Sequence, residues 1–72
     1  MLSKFQDTFD LVVLGLQLAG NYAPSDLVMS VLEHTAGQPG ENAAKRILTN
    51  QGALPDDVDE LFKLYKKENS HV

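Results

Sequence analysis

The densest set of side chains that could do chemistry is the acidic run Asp56, Asp57, Asp59 and Glu60. Carboxylates this close together can hold a hard cation or share a proton. A calcium loop, however, alternates oxygen ligands along the chain and needs an internal glycine and a distal glutamate. This run lacks that spacing. It follows Pro55 at what reads as the amino end of a helix, where proline and acids are both favoured. Asp59 and Lys63 are then spaced for an i,i+4 ion pair.

His34 could act as a general base or a proton switch. Its neighbours Glu33 and Thr35 are adjacent in sequence and so project from other sides of the same helix. Nucleophilic catalysis needs a hydroxyl beside a base, and Ser25, Ser30 and Thr49 have no partner in a recognisable pattern. Gly37-Gln38-Pro39-Gly40 is a loop without the lysine and preceding strand of a phosphate cradle. There is no cysteine, which excludes disulfides and Cys-based zinc sites. His34 and His71 lie in separate contexts with no second ligand at helical spacing. The expectation is a chain with no catalytic, cofactor-binding or metal-ligating residue, and hence not an enzyme.

Two basic spots remain, Lys45-Arg46 and Lys63, Lys66 and Lys67. In a helix-turn-helix reader of DNA, Lys45 and Arg46 would start the recognition helix, the third of the chain. Two features count against that alternative. The link from Ala36 to Glu41 exceeds the usual three- or four-residue turn. The chain also carries ten acidic against six basic side chains, a formal charge of −4, whereas phosphate neutralisation supplies most of a nucleic-acid binder's affinity. The lysines near the last helix end complement its dipole.

The elements behind these residues are set by caps and breakers. Ser3 and Gln6 make a capping box for a first helix over about 3–19, with Gly20-Asn21 as its left-handed stop. Pro24 and Ser25 open a second helix, about 25–36, which ends at Gly37. A third spans about 41–51 and stops at Gly52, and a fourth runs over about 56–68. Residues 69–72 read as a frayed tail. Leu27, Val28, Val31, Leu32 and Thr35 share one stripe of the second helix. Ala43, Ala44, Ile47 and Leu48 share one on the third, and Val58, Leu61, Phe62 and Tyr65 one on the fourth. The second and third layouts match at an offset of sixteen residues, as two short amphipathic helices often do without being a repeat. No stretch alternates with a period of two. The predicted fold is all-α, a compact bundle of four short helices in a single domain, 1–72.

The first helix stands apart. Phe5, Phe9, Val12, Val13 and Leu16 form one stripe, and Leu11, Leu14 and Leu18 form another almost opposite. It is expected to be the central helix, packed on both sides. The competing reading gives the second stripe to another molecule, a protein target or a second copy in a homodimer, because exposed leucines drive association. Met29 and Leu64 lie off their helices' main stripes and would extend that surface if the bundle brought them near. A domain this short has a small core, so a partner is a natural extra source of stability. The apolar run Leu11 to Ala19 is too short to span a membrane, and Asp7 and Asp10 before it do not suit a signal peptide. The function expected is a soluble, cytoplasmic adaptor, regulator or inhibitor working by protein–protein contact.

Overall fold

A computed structural model of the chain describes residues 3–21 and 25–69. Four helices follow in order: α1 (Lys4–Leu18), α2 (Ser25–Thr35), α3 (Glu41–Asn50) and α4 (Pro55–Glu68). Each boundary falls within a residue or so of the one expected, because each is fixed by local chemistry. The Ser3 hydroxyl accepts from the Gln6 amide at 3.0 Å, as an N-cap should. The reciprocal half of the capping box is not made, since the Gln6 side-chain amide donates forward to Asp10. At the other end, Gly20 N–H donates to Gln17 and Asn21 N–H to Leu16, with Gly20 at φ +84°. That is a Schellman stop, and Gly52 and Ala53 repeat it on Thr49 and Leu48 of α3. Ser25 is the first residue of α2 rather than its cap, and Asn69 closes α4. Pro24, His71 and the rest of the expected tail, 70–72, lie outside the described residues.

The helix at the centre is α4, not α1. The main packing pairs are α1 on α4, α4 on α3 and α3 on α2, and α4 takes part in the two most extensive of them. Its Val58, Leu61 and Phe62 are fully buried and meet Phe9, Val12 and Leu16 of α1, Val28 and Leu32 of α2, and Ala44 and Leu48 of α3 in one core. Phe5, Val13 and Tyr65 pack against this cluster, with the Phe5 ring 5.9 Å from Phe9 and 6.1 Å from Tyr65. The radius of gyration is 11.4 Å, close to the roughly 11 Å of a well-packed chain of this length.

The carboxyl end of α1 is seated on the α3–α4 connection by small residues. Gly15 faces Gly52 and the buried Ala53 so closely that a Cβ on Gly15 would sit 3.3 Å from the Gly52 carbonyl oxygen. A Cβ on Gly52, at φ +126°, would overlap the Ala19 side chain. The Asn21 side-chain amide adds a hydrogen bond to the Gln51 carbonyl. Backbone approaching backbone at this crossing sets how α1 lies on the bundle, and therefore which of its faces looks outward.

Candidate functional site

The outer face of α1 is open. Leu11, Leu14 and Leu18 are 52%, 48% and 79% exposed, and Leu54 beside them is 65% exposed. Three short helices cannot cover both sides of α1 while hiding their own stripes, and the bundle spends them on the Phe9–Val12–Leu16 side. The expectation that α1 is packed on both sides is thereby corrected. With Gly15, Ala19, Gly52 and Asp57, the four leucines line an open hollow of about 440 Å³. Leu11, Leu14 and Leu18 recur at i, i+3 and i+7, so the hollow follows α1 for about 10 Å.

Leu54 was not legible as part of this surface. It lies in the connection before α4, outside any periodic stripe, yet it carries a signal. It occupies the N-cap of α4 and makes no side-chain cap, at a position where Ser, Thr, Asp and Asn are preferred by about 1 kcal/mol. A leucine there leaves helix amides uncapped and presents an apolar side chain to water. Met29 and Leu64 are both half-buried, Met29 against the core, and neither lines the hollow.

A second apolar strip lies between α2 and α3. Leu27 and Ile47 are 52% and 58% exposed, although both belong to stripes expected in the core. Two adjoining hollows share Val31, Ile47 and Leu48, and no charged side chain lines either. The physical reason is stripe width. The buried members, Val28 and Leu32 on α2 and Ala44 and Leu48 on α3, fill the space toward α4, which leaves the other edge of each stripe outside.

The charged groups are arranged for structure. Glu41 receives the Gly37 amide at 2.7 Å, Lys66 Nζ at 2.9 Å and Lys45 Nζ at 3.1 Å. Its carboxyl is held down at about 2, first by the Gly37 amide and then by the two lysines, against a desolvation that pushes the other way. Lys45 also lies 3.6 Å from Asp59 and 5.6 Å from the centre of the Phe62 ring. The expected Asp59–Lys63 pair gives way to this tertiary contact. On the far side, Lys4 pairs with Glu60 at 3.4 Å.

The chemistry-bearing candidates are dispersed. His34 is exposed, with Nδ1 2.8 Å from the Ser30 carbonyl oxygen, so that nitrogen carries its proton into a helix carbonyl. Sequence reading missed that the Ser30 hydroxyl lies 3.4 Å from the same nitrogen. An Nδ1–H already donated to a carbonyl is no base toward that hydroxyl. Among the described residues, no three His, Cys, Asp or Glu side chains are grouped to hold a metal ion. No described helix is long and apolar enough to cross a membrane. Set beside protein-family models, curated proteins and solved structures, the chain matches none.

Proposed function

We propose that the protein works by contact with another protein, as an adaptor, regulator or inhibitor, through the α1 face and Leu54, and not by catalysis. The observation that carries this reading is Leu54, an exposed leucine at an uncapped helix start beside three further leucines. Their exposed fractions together amount to between two and three whole leucine side chains. Covering them is worth roughly 4–7 kcal/mol of transfer free energy. Association itself costs about 4–15 kcal/mol, so this face needs matching apolar groups on the partner and suits reversible binding. The basic residues favour this reading over DNA recognition. The Lys45 amine is committed to Glu41 and Asp59, and that of Lys66 to Glu41, which leaves too small a footprint for phosphate neutralisation.

Affinity capture from the native host, with wild type, Leu14→Glu and Ile47→Glu in parallel, tests the proposal. A partner retained by wild type and Ile47→Glu but lost by Leu14→Glu is the expected result. Equal retention by all three would sink it. So would loss through Ile47→Glu alone, which would move the contact to the α2–α3 strip.

A further inference from the structure

The charge around the α1 hollow identifies the chemistry of what fills it. Asp57 lines the hollow, and Asp56 precedes it in the first turn of α4. On α1, Asp7 stands one turn before Leu11, and Asp10 one turn before Leu14. Among the described residues Lys4 is the cation carried by α1, and it pairs with Glu60. Apart from these four aspartates and the Lys4–Glu60 pair, the described molecule carries five acids (Asp26, Glu33, Glu41, Asp59, Glu68) and five bases (Lys45, Arg46, Lys63, Lys66, Lys67). The formal charge of −4 therefore corresponds to the four aspartates carried by α1 and the first turn of α4, the two helices that flank the hollow, and one of them, Asp57, lines it. By contrast, the hollows of the other apolar strip are lined by no charged residue.

We infer that the α1 hollow receives a basic amphipathic helix of a partner protein, its leucine-type side chains against Leu11, Leu14, Leu18 and Leu54 and its lysines or arginines toward Asp7, Asp10, Asp56 and Asp57. This rests on the proposed function and names its occupant. A helix in an apolar groove presents anchors at i, i+3 or i+4 and i+7, which is the spacing of the leucines it would meet. Pairing the face with a second copy would instead bring two sets of four aspartates together. Like charges set face to face oppose association, and at physiological salt this repulsion acts between those aspartates brought within the Debye length of about 8 Å. An anionic lipid surface is repelled for the same reason.

Two synthetic helical peptides with one leucine face, one flanked by lysines and the other by glutamates, provide the test. Each is titrated into isotopically labelled protein and followed by amide chemical shifts. The lysine peptide is expected to bind in the micromolar range, with shifts centred on residues 7–18 and 54–57. Its affinity should fall at least ~10-fold in an Asp10→Asn/Asp57→Asn variant and at least ~10-fold in Leu14→Glu. The second variant adds an acid, so a purely ionic association would survive it. Equal binding of both peptides at this face, or a concentration-dependent dimer that Leu14→Glu abolishes, overturns the basic helix while keeping the face as an interface. Shifts confined to other regions, or none at all, overturn the basic helix, and the capture experiment then decides separately whether the face meets any protein.

Discussion

Glu41 should make the stability of this small domain depend on acid in a way that one substitution removes. Its carboxyl moves from an ordinary 4.5 to about 2 in the fold. Taken at face value that is roughly 3 kcal/mol of differential stabilisation at neutral pH. The carboxylate side chain is only 12% exposed, but its partner Lys66 is 44% exposed, and solvent screening reduces the figure to about 1–2 kcal/mol. The sign follows from the direction of the shift. A carboxyl with a lowered folded-state pKa binds its proton more readily in the unfolded chain, so its contribution is complete above about pH 5 and is lost as pH falls toward 2. Glutamine at this position can still accept from the Gly37 amide but cannot pair with Lys45 or Lys66. Urea unfolding of wild type and Glu41→Gln, followed by circular dichroism from pH 7 to pH 2, is the assay. The variant is expected to be less stable by about 1–2 kcal/mol at pH 7, which is a melting temperature lower by roughly 5–15 °C. The two curves should converge at the acid end. A gap that stays constant across the range, or no gap at pH 7, would refute the electrostatic account of Glu41.

Three further outcomes follow from the packing and the exposed leucines. Gly52→Ala should cost at least about 2–3 kcal/mol, because its φ is +126° and its Cβ would overlap Ala19, whereas Gly20→Ala, with open space around it, should cost about 1 kcal/mol; thermal melts of both variants check the contrast, and similar losses would contradict it. Phe62→Ala, which empties a fully buried site, should cost about 3–5 kcal/mol, comparable with the whole stability of such a domain, so the variant should show no cooperative unfolding transition. Leu54→Ser should raise stability by about 0.5–1 kcal/mol by capping α4 while weakening partner binding; a drop in melting temperature would show that Leu54 serves the fold.

Much of the fold was legible because it is local. Ser3, Gly20, Gly37, Gly52 and Pro55 act within four or five residues, and the helix ends they dictate are the ones observed. The stripes of α1 and α4 were legible for the same reason. Which helix becomes the centre depends on how α1 crosses the α3–α4 connection, and that turns on Gly15 meeting Gly52 across 37 residues. The Glu41–Lys66 pair likewise joins residues 25 apart in the chain, and Asp59 takes Lys45 of another helix rather than Lys63 of its own, so neither pair could be read from helical spacing. Leu27 and Ile47 lie on their stripes as periodicity says, but periodicity counts apolar positions and not the neighbours available to cover them. The exposed triad Leu11, Leu14 and Leu18 was visible as an oddity, and only the fold turns it outward and adds Leu54.

The central claim is that the α1 face, and not the α2–α3 strip, meets another protein. A photo-crosslinking side chain placed at position 14 in one variant and at position 47 in another, irradiated in the native host, tests it most directly. The account predicts an adduct from position 14 to a lysine- or arginine-rich helical segment of a different protein, and none from position 47. An adduct from position 47 alone, or from position 14 only to a second copy of this chain, would contradict it.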